Sequence, residues 1–346
     1  MIQATSTGLG PGADLPTRDF AGRPGPRPRA SGPVWRIGDR NLVPDPFLVA
    51  GIVNVTPDSF YDGGRHDTPD AAVAHGLGLA RDGADLVDVG GESTRPGSDP
   101  VSFDEELRRV LPVVRELVRA FADPVLAAGR DPAGDPNGAS VFPPVVAVDT
   151  CKAACAAACL DAGAAIVNDV SACAWDPGLL DVLVQFRPGY VLMHSLGRPK
   201  TMQDRPAYRD VVEDVLAFFE RRLSRLVAAG LPEEHVVLDP GIGFGKLLEH
   251  NLALLRALPR FAEFGRPVYL GLSNKALFQG LFGLAPGERG PATLAATALA
   301  GARGAHIHRV HDVAAARLGL RLAREFLPPE ATRDAAGDRE TGEDAP

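Results

Sequence analysis

The chain has 346 residues, 45% hydrophobic and 23% charged, a globular composition with length for one large domain or two average ones. Its net charge of -8 excludes a general nucleic-acid binder, which needs a basic face, but leaves room for a local basic pocket. No apolar run approaches the length of a membrane span, and the opening MIQATSTGLGPG lacks a charged and then apolar leader, so a cytoplasmic protein with no membrane partner is expected.

Residues 1–33 are rich in Gly, Pro and Arg without periodicity and read as a flexible arm. Residues 34–43 (VWRIGDRNLV) hold two apolar patches around Gly38–Asp39, a hairpin signal suited to capping the bottom of a barrel. Residues 47–53 (FLVAGIV) form a continuous apolar run that stops at Asn54 and gives way to a loop containing Pro57, Asp58, Gly63 and Gly64. Such a run, bounded by turn residues, reads as a strand buried on both faces.

From there strand-like runs alternate with helix-like segments. Strands are predicted over 84–89, 144–148, 165–167, 190–193, 236–238, 267–272 and 306–310. Helices are predicted over 69–81, 104–121, 152–162, 177–186, 208–229, 248–258, 291–303 and 313–326. The Gly/Pro-rich stretch 123–143 reads as an inserted loop, and the acidic segment 329–346 as a disordered tail. Strict alternation implies a parallel sheet with right-handed crossovers. Eight units in roughly 280 residues is the arithmetic of an α/β protein built as a single (β/α)8 TIM barrel. A doubly wound open sheet would use fewer strands and one switch point. The expected organisation is an arm (1–33), a barrel domain (34–328) and a tail (329–346).

Polar groups punctuate nearly every strand end: Asn54, Asp88, Glu92, Asp149, Asn168, His194, Asp239, Lys275, Arg309 and His311. Singly, each has a plain explanation. Asp149, Asp239 or Asn168 can cap a helix, and Asp88, inside its strand, can satisfy neighbours. Ten such groups around one barrel mouth point instead to a ligand. Carboxylates and an amide in an apolar wall suit a flat heterocycle with a guanidine-like donor edge. Arg309 suits a ring face or an anion. Lys275, Arg309 and His311 come from strands seven and eight, where barrels often hold phosphate. Asn54 is a neutral oxygen suited to Mg2+ shared with substrate phosphates.

Three other patterns carry less. Gly241, Gly243 and Gly245 are spaced G-x-G-x-G, unlike a dinucleotide loop. Gly245–Lys246 resembles the end of a P-loop, but Pro240 and Leu247 stand where Gly and Ser/Thr are needed. Cys151, Cys155 and Cys159 fall at helical spacing, but one helix face cannot close a tetrahedral metal site, and they read as buried thiols. No nucleophile with an adjacent base is evident, so covalent catalysis is not indicated.

At these residues the chain resembles the dihydropteroate synthases. The matching stretches are GIVNVTPDSFYDGG (51–64), DVGGESTRPGS (88–98), VDTCKA (148–153), AGAAIVNDVSA (162–172), VLMHSLGRPKTMQ (191–203), VLDPGIGFGK (237–246), GLSNK (271–275) and RVHDV (309–313). They span residues from about 47 to about 325, leaving the arm, the insert and the tail outside. The resemblance implies a transferase, a sulfonamide target, that condenses 6-hydroxymethyl-7,8-dihydropterin pyrophosphate with p-aminobenzoate to give 7,8-dihydropteroate and pyrophosphate, with Mg2+ as cofactor. It assigns the pterin to Asp149, Asn168, Asp239, Lys275, Arg309 and Met193. It assigns p-aminobenzoate to Phe60, Thr94, Arg95, Pro96 and Phe244, and pyrophosphate to Asn54, Thr94, Arg309 and His311. Asn54 becomes the metal ligand, and Lys275, Arg309, His311 and Asp62 the catalytic residues. A homodimer is also expected, since the Ala/Gly-rich 291–303 segment suits close helix packing, although burial against the barrel explains it equally well.

The chain departs from the family at Asn274, where many members have Arg, and at Ala276, where many have Ser. A pterin-dependent methyltransferase barrel is the nearest rival, but it needs neither SFYDGG nor STRPGS, nor a pyrophosphate site. A non-catalytic pterin-binding paralogue finds support only in Asn274 and Ala276, and the intact Arg309–His311 pair counts against it.

Overall fold

The computed structural model describes residues 33–56, 68–123 and 143–326. The predicted arm and acidic tail, nearly all of the predicted insert, and the 57–67 loop carrying Phe60 and Asp62 lie outside the described residues. Strands β1 (Trp35–Ile37) and β2 (Arg40–Leu42) form the antiparallel hairpin, turning at Gly38 with φ +55°. Eight strands follow: β3 (Leu48–Asn54), β4 (Leu86–Gly90), β5 (Val145–Asp149), β6 (Ile166–Asp169), β7 (Gly189–Met193), β8 (Val236–Asp239), β9 (Tyr269–Gly271) and β10 (Ile307–Val310). They pair in parallel in the order β8–β7–β6–β5–β4–β3–β10–β9. A bridge from Leu238 to Val268, next to β9, closes the ring. The expected (β/α)8 barrel is therefore the fold.

Around it, among the described residues, lie α1 (Pro69–Arg81), α2 (Phe103–Phe121), α3 (Ala153–Asp161), α4 (Leu179–Phe186), α5 (Val211–Ala229), α6 (Leu248–Arg256), α7 (Leu277–Phe282), α8 (Gly290–Ala302) and α9 (Val313–Glu325). Side-chain caps set several starts, as N-cap oxygens satisfy the first orphan amides. Ser102 accepts from Glu105 N, and Asp312 accepts from Ala315 N. The helix expected over 208–229 starts only at Val211, because Asp210 is its cap, accepting from Val212 N and Glu213 N. Helix α7 was not predicted: six residues are too few to show a helical period. Residues 258–264, just past α6, tighten into a 3-10 turn.

Strand parity sorts the side chains into two layers, since successive residues point to opposite faces. Val49, Val53, Val87, Val89, Val146 and Val148 face the helices. Leu48, Ala50, Leu86, Ala147, Ile166, Val191, Val237, Tyr269 and Ile307 fill the lower barrel with Trp35, Ile37 and Leu42 of the hairpin. Trp35 is 0% exposed and its indole N–H donates to His235 O at 2.8 Å. Gly189 makes room for it: a Cβ there would lie 2.9 Å from both Ile37 and Trp35. The hairpin thus plugs the bottom.

A buried ion pair locks the last helix to the first strands. Arg317 of α9 donates from Nη1 to Asp85 Oδ2 and to Gly83 O, both at 2.9 Å, and Asp85 Oδ2 also accepts from Val49 N at 2.8 Å. Leaving either charge alone in that position is strongly unfavourable.

The plug generates a prediction. Trp35→Ala is expected to cost about 3–5 kcal/mol of folding stability, read by urea denaturation, while the turnover of the folded variant stays unchanged because the mouth lies at the other end of the barrel. A stability change under about 1 kcal/mol would contradict the plug.

Candidate active site at the barrel mouth

Continuing the inward parity upward converts an apolar lower layer into a polar upper one. The predicted polar groups were placed just after their strands. Asn54, Asp149 and Asp239 are instead the last residues of β3, β5 and β8. Their directions are therefore fixed by the sheet rather than by a loop. Register pairs Gly90 with Asp149, Asp149 with Asn168 and Met193 with Asp239 across neighbouring strands, and Arg309 lies opposite Ala50 and Gly271. Asp149, Asn168, Met193, Asp239, Gly271 and Arg309 line one cavity of about 740 Å³, together with Asn54, Phe244, Lys275 and His311.

The floor is an ionic lattice. Arg309, with a side chain 21% exposed, donates from Nε to Asp88 Oδ2 at 2.5 Å and from Nη2 to Asp149 Oδ2 at 2.8 Å. Asp88 Oδ2 also accepts from Asn168 Nδ2 at 2.9 Å. Burial works against the guanidinium charge, but the two carboxylates outweigh it and hold Arg309 protonated well above the ordinary range. Burial pushes the Asp149 carboxyl up, against the pull of Arg309. Asp88 satisfies its neighbours, as expected of a carboxylate inside its strand. It orients both Arg309 and Asn168, and the signal was a carboxylate at an inward position of an apolar strand.

The wall beside it comes from β8 and β9. Asp239 accepts the Gly241 amide on Oδ1 at 2.7 Å, while burial pushes its pKa up. Lys275 Nζ donates to Ile242 O at 2.7 Å and sits 4.3 Å from the Phe244 ring centre, a cation–π distance. Burial pulls the Lys275 pKa down to about 8, with Asp239 opposing. His194 does not reach the cavity as expected. It is buried beneath the 241–246 loop, edge-on to Phe218, and Lys246 Nζ binds its Nδ1 at 2.9 Å.

The opposite rim suits an anion. His311 Nδ1 lies 2.8 Å from Ser273 Oγ and 3.3 Å from Asn274 Nδ2. With the amide donating, Nδ1 accepts and the ring proton belongs on Nε2. The departure at Asn274 therefore has a structural use. Its φ of +59° is a left-handed conformation that Asn tolerates, and its amide N–H is held by Thr293 Oγ1 at 3.1 Å. Ala276 immediately precedes α7 and also borders the cavity.

Thr94, Arg95 and Pro96 line the cavity on the loop after β4. That loop is anchored at its base: Arg109 donates to Gly91 O at 2.8 Å, and Lys152 binds both Glu92 and Glu106. Its tip is tied across the mouth by Gly97 N to Pro199 O at 3.0 Å. Among the described residues no three His, Cys, Asp or Glu side chains could cage a metal ion. Asn54 supplies a neutral oxygen in the cavity wall, which fits a hard cation that takes its other ligands from phosphate and water. Cys155 and Cys159 are buried thiols in α3.

Comparison with known proteins gives a consistent picture. The family model for pterin binding enzymes matches residues 50–126 and 139–311. The dihydropteroate synthase of Escherichia coli K12 is 39% identical over 81% of this chain and 91% of its own. A Yersinia pestis dihydropteroate synthase, solved with a sulfonamide drug complex, superposes with TM-score 0.75 at 37% identity, covering 87% of this chain and 99% of that one. The Xanthomonas albilineans dihydropteroate synthase, solved with 4-aminobenzoic acid, gives TM-score 0.73 at 42% identity, covering 86% of this chain and 100% of that one.

The chain has four lysines, Lys152, Lys200, Lys246 and Lys275, which makes the Lys275 environment measurable. Labelling of Lys275 by a small amine-selective acylating reagent is expected to rise with a midpoint at about pH 8. Lys200, whose bond to Asp99 holds it above the ordinary lysine range, should label only at higher pH. Peptide mass spectrometry reads both sites, and identical profiles would contradict the burial argument.

Proposed function

Because the chain belongs to the pterin-binding enzymes, and within them to the dihydropteroate synthases, we propose that its barrel mouth condenses 6-hydroxymethyl-7,8-dihydropterin pyrophosphate with p-aminobenzoate, releasing pyrophosphate and forming 7,8-dihydropteroate. The chain is thus a transferase. The observation that carries the site assignment is the convergence of Asp149, Asn168, Asp239, Lys275 and Arg309 on one cavity.

In this reading the pterin's guanidine-like edge is gripped by carboxylate and amide groups, with Arg309 beneath it and Met193 against it. Arg309 takes Oδ2 of Asp149, so Oδ1 is available to accept a ligand N–H. Lys275 holds the pterin's acceptor edge. The diphosphate lies toward Asn54, Thr94, Arg309 and the Nε2–H of His311. The difficult event is cleavage of the C–O bond to pyrophosphate. Cationic and N–H donors fixed in advance stabilise the charge gathering on the leaving group without reorganising. Bound Mg2+, with Asn54 as a ligand, would add Lewis-acid stabilisation of that same charge. The pterin ring stabilises positive charge at its CH2, giving a dissociative, SN1-like path. The aromatic amine then attacks without a strong base.

Phe244, Thr94, Arg95 and Pro96 surround p-aminobenzoate, and Phe60 and Asp62 are assigned to the same step by the family motif. No helix among the described residues is long and apolar enough to cross a membrane, in keeping with cytoplasmic work on small-molecule substrates. A homodimer is proposed through α8 and α9. The two helices pack together with Gly301 against Leu320 and Gly319 against Leu294, yet leave Leu299, Leu318 and Leu322 exposed on the outside.

Purified protein given dihydropterin pyrophosphate, Mg2+ and p-aminobenzoate should release pyrophosphate and form dihydropteroate, detected by mass. Lys275→Ala or Asp149→Ala should lower turnover by at least about a hundredfold with the fold intact by circular dichroism. Near-normal turnover in either variant would sink the site assignment. Deleting residues 1–33 should leave activity within about threefold, and a collapse would make the arm part of the catalytic domain.

A further inference from the structure

Lys246 is the unexplained charge of this mouth. It is 3% exposed, and its three N–H groups go to neutral acceptors: His194 Nδ1 at 2.9 Å, His194 O at 3.2 Å and Phe244 O at 3.0 Å. Burying an ammonium among neutral acceptors is costly, and a methionine would fill the space without that cost. Packing alone does not account for it.

The acceptors belong to two separate segments, the end of β7 at His194 and the loop after β8 at Phe244. The two backbones already touch: a Cβ on Gly241, whose φ is +68°, would lie 1.9 Å from His194 O. His194 is neutral, because burial and the neighbouring Lys246 pull its pKa down to about 2. Its Nδ1 accepts from the ammonium. Other peptide groups of the loop have their own anchors. Gln203 Nε2 donates to Gly243 O at 2.7 Å, Tyr208 Oη donates to Gly245 O at 2.8 Å, and Gly243 N donates to Asn251 Oδ1 at 2.7 Å. The Phe244 carbonyl is held by Lys246.

We propose that Lys246 is a positioning residue that splices the His194 and Phe244 backbones through its ammonium group and so fixes the Phe244 wall of the second-substrate pocket. This rests on the assignment of Phe244 to p-aminobenzoate. The first substrate's carboxylate and amide contacts sit on strands, so losing the splice acts mainly on the second substrate. The charge itself is required, since a neutral amine has two N–H groups for three acceptors. The charged and titratable groups around Nζ are His194, Asp239 of β8, which favours the charge, and Lys275 after β9, which opposes it; Tyr208, 6.0 Å ring to ring from His194, and Arg221 of α5 act on the imidazole. Burial brings the Lys246 pKa down to about 7. As pH rises through that range, one acceptor loses its donor and the wall loosens.

The test is steady-state kinetics on full-length Lys246→Met. The KM for p-aminobenzoate is expected to rise at least about tenfold, with kcat and the KM for dihydropterin pyrophosphate within about threefold. Of the rise in the wild-type p-aminobenzoate KM between about pH 6 and about pH 9, the part centred near pH 7 should disappear in the variant, leaving the part near pH 8 that Lys275 contributes from beside Phe244. An unchanged p-aminobenzoate KM overturns the proposal, and so does an equal rise in both KM values, which would mean general loosening. Should Lys246→Met fail to fold, Lys246→Gln and the wild-type profile decide, and a flat wild-type profile overturns the proposal. A crystal structure of the variant separates this inference from the functional reading. Phe244 should move away from Lys275 even if the wild type makes no dihydropteroate, and an unmoved Phe244 overturns the splice whatever the activity.

Discussion

A guanidinium near the axis of a barrel is the constraint around which this molecule is arranged. Arg309 stands one inward position above Ile307, where the apolar filling of the barrel ends. A charge there cannot be left unpaired. Asp88 and Asp149 answer it from β4 and β5, and Asp88 fixes Asn168 through the same oxygen. One cation thereby sets the orientation of three acceptor-bearing side chains from three strands. A site built this way is held by rigid elements, and its groups are in place before a substrate arrives.

Much of this was legible in the sequence, and the reason is periodicity. A parallel barrel strand is a short apolar run, and its end is marked where the first polar residue appears. Runs such as FLVAGIV ending at Asn54 and VVAV ending at Asp149 therefore reveal both the strand and the group at its tip. The pairings were not legible. Arg309 meets Asp88 across 221 residues, Trp35 meets His235 across 200, and Lys246 meets His194 across 52. No local pattern encodes such contacts. His194 illustrates the cost: its position at a strand end suggested the mouth, but the loop after β8 folds over it. The short α7 escaped notice because six residues show no period, and Asn274 looked like a defect until its contact with His311 gave it a task.

Lysine usage carries a related lesson. In a chain where arginine far outnumbers lysine, Lys275 and Lys246 line the cavity and Lys152 anchors the base of a neighbouring loop. The compact ammonium suits these positions. At Lys246 it directs three donors to three acceptors in a space that a planar guanidinium cannot match. At Lys275 a point charge packs against the Phe244 ring while reaching Ile242 O. Both lysine pKa values are depressed, to about 7 and about 8, first by removal from water and then by a neighbouring cation, with Asp239 opposing.

The hairpin plug has a consequence for traffic. With Trp35 and Ile37 packed against Gly189, the hairpin closes the lower end of the barrel, and the cavity above the Arg309 floor faces the other end. Whatever binds on the Arg309 floor has to enter ahead of anything that occupies the rim, and it cannot leave while the rim is filled. In the proposed reading, the depth of that floor puts the pterin before p-aminobenzoate.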